Sequence, residues 1–185
     1  MGDRLSGKAA IVTGASSGNG RAIARRFAEE GASITVADIR EDPRMGGEPT
    51  HELITDAGGE AQFLECDVSS ITDLQEVVEA TVDAYGSLDI MVNNAGVERQ
   101  LPIEEADEDD YDWLMDINLK GVYFGCQAAI QQMVDQDDGG VIVNMSSMAG
   151  IRGLENSSLY CTSKGGVTNL TLELAVEHRE HDIRV

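Results

Sequence analysis

The chain has 185 residues, with 34 acidic against 13 basic side chains, a formal charge of −21, and 42% hydrophobic and 25% charged residues. That length and apolar content suit one domain, residues 1–185, with a real core, and argue against disorder. The negative charge argues against nucleic acid and anionic lipid as partners, since both need clustered Lys and Arg.

Apolar runs rich in branched residues alternate with helical stretches from end to end. Ala9 to Val12 reads as a short buried strand, and Gly20 to Glu30 as a helix with Ile23, Ala24, Phe27 and Ala28 on one face. Ser33 to Ala37 is a second strand, Glu48 to Ala57 a helix, Ala61 to Glu65 a third strand and Ile71 to Tyr85 a helix. Leu88 to Val92 forms a fourth strand. The acidic stretch Glu104 to Asp112 leads into a long helix from Trp113 to Val134, because carboxylates are favoured at helix starts. Val141 to Met145 is the fifth strand, Ser158 to Glu180 the last helix, and Ile183-Arg184-Val185 opens a sixth strand. Gly46-Gly47-Glu48-Pro49 and Asp137-Asp138-Gly139-Gly140 are turns. This rhythm predicts an α/β fold: a doubly wound parallel sheet of Rossmann type in three αβα layers.

The first strand runs into Thr13-Gly14-Ala15-Ser16-Ser17-Gly18-Asn19-Gly20, and a helix opens behind it. Gly14 allows the tight turn, Gly18 lets the backbone approach a pyrophosphate, and Gly20 permits close helix packing, with the helix N-terminus facing the negative charge. Asp38 ends the second strand, placed to accept hydrogen bonds from a ribose diol. Its carboxylate would repel a 2′-phosphate, and Ile39 and Ser17 add no positive charge, so NAD is favoured over NADP. Arg40 is the counterweight, a guanidinium able to swing toward a phosphate.

Tyr160 and Lys164 are four residues apart, so on a helix they share a face. Tyrosine ordinarily ionises near pH 10, and an ammonium ~4 Å away at an effective dielectric of ~20 contributes about 4 kcal/mol in favour of the phenolate. Such a phenol can act as an acid or base near neutral pH.

The spacing Gly14-x-x-x-Gly18-x-Gly20, followed by Asp67-Val68 after the third strand, Asn93-Asn94-Ala95-Gly96 after the fourth, Asn118 in the long helix, Ser147 after the fifth strand and Tyr160-Cys161-Thr162-Ser163-Lys164 in the last helix, resembles the short-chain dehydrogenase/reductase family over the whole chain. Asn19 departs from it, standing where the family usually has an apolar residue. The resemblance implies Tyr160 as acid/base, Lys164 supporting it and holding the nicotinamide ribose, Ser147 orienting the substrate oxygen and Asn118 positioning a water. Ser147 is preferred to Ser146 because the family's serine usually precedes its tyrosine by thirteen residues. The cofactor-binding set is then Gly14, Ser16, Ser17, Gly18, Asn19, Gly20, Asp38, Asp67, Val68, Asn94, Ala95 and Gly96, with Tyr160 and Lys164.

The implied reaction is hydride transfer between NAD, less favourably NADP, and a small-molecule secondary alcohol or ketone, a sugar, polyol, 3-oxoacyl or steroid-like compound. Glu98, Arg99, Arg152, Leu154, Glu155 and Asn156 fall in loops expected to border the pocket. The long helix and the last helix resemble the family's helical dimer surface, which implies a homodimer or homotetramer. The Pro-Gly loop, mobile substrate helix and seventh strand that the family places next do not follow Val185, so a C-terminally truncated member is expected. The alternative is a catalytically impaired or silent dinucleotide-binding protein.

No apolar run reaches the ~18 residues of a membrane span, and Met1 to Lys8 lacks a basic region followed by an apolar stretch, so neither membrane nor secretion is expected and the expected location is cytoplasmic. Cys66, Cys126 and Cys161 are odd in number and widely spaced, and read as reduced core thiols; His178 and His181 lack a third ligand, so no metal is expected. Three Lys against ten Arg, with abundant carboxylates, resembles proteins of salt-loving cytoplasms.

Overall fold

The computed structural model of the protein describes residues 2–185. Six parallel strands form one sheet in the order β3-β2-β1-β4-β5-β6: β1 Ala9–Thr13, β2 Ser33–Asp38, β3 Glu60–Glu65, β4 Ile90–Asn93, β5 Gly140–Asn144 and β6 Ile183–Arg184. All pairs run parallel, as crossover helices between successive strands require. The helices are α1 Gly18–Glu29, α2 Thr50–Asp56, α3 Ile71–Tyr85, α4 Glu108–Met115, α5 Gly121–Asp135 and α6 Ser158–Glu177. The doubly wound α/β architecture is therefore the one expected.

Side chains alternate across the sheet and build two cores. Ala10, Val12, Ile34, Val36, Ile90 and Val92 face Ala24 and Ala28 of α1 and Ile54 of α2. Ile11, Met91 and Ile142 face the other way, against α3, α5 and α6 through Leu74, Val78, Val122, Ala129 and Val167. On the first face the cover thins toward β5, where Val143 is exposed although its strand lies inside the sheet.

Several boundaries differ from the sequence reading, each for a local reason. The first helix opens at Gly18 rather than Gly20, with Ser17 at its N-cap. The fourth strand starts at Ile90 rather than Leu88, because the Leu88 N–H and carbonyl are taken by the Gln136 side chain at 3.2 and 2.9 Å. The helix expected from Trp113 starts at Glu108, where Asp107 and Asp110 form a capping box, and is broken by a π-turn over Asp116–Lys120 before α5 begins. The last helix ends at Glu177, and His178 and His181 lie in the turn beyond it. Cys66 and Cys126 are buried free thiols, whereas Cys161 is only half-buried and does not belong to the core. Among the described residues no helix is long and apolar enough to cross a membrane.

Candidate functional site

Strand order reverses between β1 and β4, and in sheets of this kind a ligand crevice opens there at the carboxyl ends of the strands. A crevice of about 710 Å³ lies at that edge. Gly14, Ser17, Gly18 and Asn19 line it after β1, Asp38 at the end of β2, Asp67 and Val68 after β3, and Asn94, Ala95 and Gly96 after β4.

The glycines divide their work by geometry. Gly14 turns the chain at φ +64°, and a Cβ there would sit 2.9 Å from the Ala95 Cα. Gly18 also has positive φ, +56°, but faces open space. Gly20 is buried behind the loop, where a Cβ would come within 2.3 Å of the Gly14 carbonyl oxygen. The first N–H groups of α1 have no side-chain cap and no acidic residue in the first turn, and Ser17, Gly18 and Asn19 at that helix start line the crevice. The loop is pinned from outside. Asn94 Nδ2 donates to the Thr13 carbonyl at 2.8 Å, and the Thr13 hydroxyl accepts from the Asn94 and Ala95 N–H groups at 3.0 Å each. Thr50 donates to the Ala15 carbonyl at 2.9 Å.

Ser16 is buried and does not line the crevice. Its N–H donates to Asp38 Oδ2 at 3.0 Å and its hydroxyl to the Arg40 carbonyl at 2.6 Å. Asp38 therefore faces the crevice with one oxygen already engaged. Asp67 likewise accepts from the Ser69 N–H and hydroxyl on one oxygen, at 2.9 and 2.7 Å. Cys66 forms part of the wall, and its thiol is pushed up to about 12, first by burial and then by the Asp73, Asp67 and Asp38 carboxylates. The field at this end of the crevice is negative.

Residues that sequence reasoning did not place here include Arg44, Met45, Trp113, Asp116 and Ile117. The arginine that lines the crevice together with Asp38 is Arg44, whose backbone N–H donates to Ser17 Oγ at 2.8 Å, and not Arg40. No local signal marks Arg44, because the path of the 39–49 loop decides it. Glu98, Arg99, Arg152, Leu154, Glu155 and Asn156, expected at the pocket border, are all exposed and outside this crevice; Arg99 is paired with the buried carboxylate of Asp110.

Asn118, Ser147, Tyr160 and Lys164, the four residues expected to do chemistry, are not in the lining; Asn118 and Lys164 approach the crevice at Gly96, and Tyr160 lies beside Lys164. A Cβ on Gly96 would lie 3.2 Å from Asn118 Oδ1 and 3.6 Å from Lys164 Nζ. Asn118, fully buried in the π-turn, accepts from the Val97 N–H and donates to the Val97 carbonyl, both at 2.8 Å, so its amide fixes the segment following Gly96. Lys164 is 4% exposed; its Nζ lies 5.8 Å from the centre of the Tyr160 ring and donates to the Met145 carbonyl at 2.7 Å. Burial lowers the lysine pKa. The two adjacent serines separate cleanly. Ser146 turns to α6, donating to the Lys164 carbonyl at 3.1 Å and contacting the Thr168 hydroxyl at 2.6 Å, while Ser147 accepts from the Ala149 N–H at 3.1 Å.

The model of the family described as short chain dehydrogenase matches residues 8–185. The chain belongs to the short-chain dehydrogenase family. It is 44% identical over 179 residues to an uncharacterized oxidoreductase of Thermotoga maritima, covering 97% of this chain and 69% of that protein. It is 40% identical over 185 residues to 3beta-hydroxysteroid dehydrogenase 1 of Eggerthella lenta, covering 100% of this chain and 70% of the relative. D-threitol dehydrogenase of Mycolicibacterium smegmatis is 38% identical over 182 residues, 98% of this chain and 68% of its own length. The crystal structure of a short chain dehydrogenase from Mycobacterium smegmatis superposes with a TM-score of 0.93 at 35% identity, covering 99% of this chain and 76% of the other.

Proposed function

We propose that this protein is a nicotinamide-dependent oxidoreductase that interconverts a small secondary alcohol and its ketone, with Tyr160 as acid/base, Lys164 supporting its phenolate, Ser147 meeting the substrate oxygen and Asn118 holding the neighbouring loop. The observation that carries this reading is the junction at Gly96, which lines the same crevice as Gly18 and where a Cβ would lie 3.6 Å from Lys164 Nζ, itself beside the Tyr160 ring.

The residues present fit a dinucleotide. The uncapped N–H groups of α1 and the open space at Gly18 suit a pyrophosphate, and Asp38 keeps one carboxylate oxygen for a ribose diol. Asp67 and Val68 would flank the adenine end, and Asn94, Ala95 and Gly96 the path toward Lys164. When bound, the nicotinamide supplies the hydride acceptor or donor. Tyr160 takes the hydroxyl proton in oxidation and returns it in reduction. Lys164, held by the Met145 carbonyl, keeps positive charge beside it. NAD is the favoured partner over NADP, since the carboxylates of Asp38, Asp67 and Asp73 oppose a 2′-phosphate. Arg44 is the residue that moderates this preference.

We further propose, from composition and the helical surfaces, a cytoplasmic homodimer or homotetramer acting as a single domain over residues 1–185. The hydroxysteroid and polyol names of two relatives set the first substrates to try. The test is reduced-nicotinamide absorbance with NAD and a panel of hydroxysteroids, sugar alcohols and simple secondary alcohols, in dilute and in molar salt. Turnover with at least one alcohol supports the reading. Tight dinucleotide binding without turnover on any of them favours the silent alternative.

A further inference from the structure

The Lys164 ammonium is held by the carbonyl of the residue just after β5, and the residue before it belongs to a partly buried polar chain that crosses four elements. Asn93 at the end of β4 donates from Nδ2 to Asn144 Oδ1 at 2.9 Å and contacts Cys126 Sγ of α5 at 3.3 Å. Cys126 Sγ also contacts Asn144 Oδ1 at 3.3 Å; burial pushes this thiol up to about 11, so it stays a neutral S–H. Asn144 Nδ2 donates in turn to Thr171 Oγ1 of α6 at 3.0 Å. The direction of that bond is fixed, because the Thr171 hydroxyl donates to the Val167 carbonyl at 2.8 Å and can only accept from Asn144. Asn144 therefore has one amide orientation and ties β4, β5, α5 and α6 together at one level.

The next residue is Met145. Its N–H donates to the Asn93 carbonyl at 3.0 Å, and its carbonyl accepts from Lys164 Nζ at 2.7 Å. One residue further on, Ser146 binds the Lys164 carbonyl and the Thr168 hydroxyl. Three consecutive residues, 144 to 146, are thus buttoned to Thr171, Lys164 and Thr168 along a single face of α6. The same helix carries Tyr160, and Ser147 comes next after the row.

We propose that Asn144 and Thr171 are positioning residues that set the register of β5 against α6, and through the Met145 carbonyl place the Lys164 ammonium relative to Tyr160. The inference rests on the catalytic roles proposed for Tyr160 and Lys164 and adds two residues that do not touch substrate or cofactor. Tyr160 on its own helix is the titratable group facing Lys164, and Cys126 from α5 is the titratable member of the chain below it. Loss of the Asn144–Thr171 bond lets the Met145 carbonyl and the ammonium move together. The phenolate then loses part of its support while the glycine-rich loop, pinned by Thr13, Asn94 and Thr50, keeps its shape.

The test compares Thr171→Val, which keeps the volume and removes the acceptor, with Thr171→Ser, which keeps the hydroxyl. Turnover should fall by about ten- to a hundred-fold in Thr171→Val, the scale of a misplaced catalytic group. The acid limb of its pH–rate profile should move to higher pH, and its dinucleotide affinity should fall far less than its turnover, because the glycine-rich loop keeps its shape. Thr171→Ser should restore both rate and limb. Asn144→Ser, too short to reach α6, should reproduce the displaced limb and serves if Thr171→Val does not fold. A limb unmoved in the folded variants, or Thr171→Ser no better than Thr171→Val, overturns the proposal. If Tyr160→Phe retains full turnover, the proposed role of Tyr160 fails instead; if it is inactive while the limb stays fixed in Thr171→Val, only the positioning claim fails.

Discussion

Lys164 sits one helical turn beyond Tyr160, with its ammonium 5.8 Å from the centre of the phenol ring and one N–H committed to the Met145 carbonyl. A lysine 4% exposed has little water to turn to, so burial lowers its pKa and its charge is solvated by that carbonyl and by whatever lies across from it. The proposed chemistry depends on this pair meeting a dinucleotide at Gly96.

The glycine at position 20 is required by packing, not by backbone angle. Gly20→Ala should lower stability by about 1–3 kcal/mol, the range for overpacking, because the new methyl meets the Gly14 carbonyl oxygen at 2.3 Å and Asn94 Nδ2 at 2.5 Å. Dinucleotide affinity should fall with it, since both neighbours shape the loop. Gly153→Ala, with nothing within 4 Å of the added atom, is the control and should leave both unchanged in urea unfolding and binding titrations.

Cofactor choice should follow the negative end of the crevice. The protein should bind NAD more tightly than NADP, and Asp38→Ser should narrow the gap by about tenfold, or ~1.4 kcal/mol. Arg44→Ala should weaken NADP and leave NAD nearly unaffected. Calorimetric titration of both dinucleotides decides this, and a wild type that prefers NADP would show that Arg44 outweighs the carboxylates.

Far from the site, Glu30 closes the N-terminal segment onto α1. Arg4 donates to it at 2.9 and 2.5 Å and Arg26 pairs with it from the preceding turn, and the hydrogen bonds from Arg4 with both guanidinium charges hold its pKa down at about 2, against 4.5 for a free glutamate. A lowered carboxylate pKa adds stability that is complete above pH 4.5 and is lost as pH falls toward 2. Glu30→Gln should therefore be less stable than the wild type at pH 7, and the difference should shrink across that window. A difference independent of pH in urea midpoints would assign the effect to packing instead.

Much of this was legible in the sequence. The alternation of branched runs and helical stretches predicts the parallel sheet, and the glycine spacing with Asp38 predicts which edge of it opens. What escaped is set by non-local partners. Arg44 rather than Arg40 reaches the crevice because the 39–49 loop is held by the Ser17 hydroxyl and turned by Gly46 and Gly47 at φ +74° and +103°. The π-turn that buries Asn118 carries no mark in its residues Asp116 to Lys120. Leu88 has the composition of a strand, yet a glutamine from α5's far end takes its backbone groups.

The surplus of 34 acidic over 13 basic side chains makes a salt prediction. Screening shortens from ~30 Å in dilute buffer to ~3 Å in molar salt, which removes most of the self-repulsion. We propose a salt-adapted protein, whose thermal midpoint should rise steadily up to molar KCl. A midpoint as high in dilute buffer would count against that adaptation.

In the proposed reaction the Tyr160 hydroxyl exchanges the proton of the reacting alcohol. Turnover and dinucleotide affinity measured side by side for wild type and Tyr160→Phe test that role most directly. Turnover should fall by about 10²- to 10⁴-fold, the usual worth of a positioned acid/base group, while affinity stays the same. Equal turnover in the two proteins would contradict it.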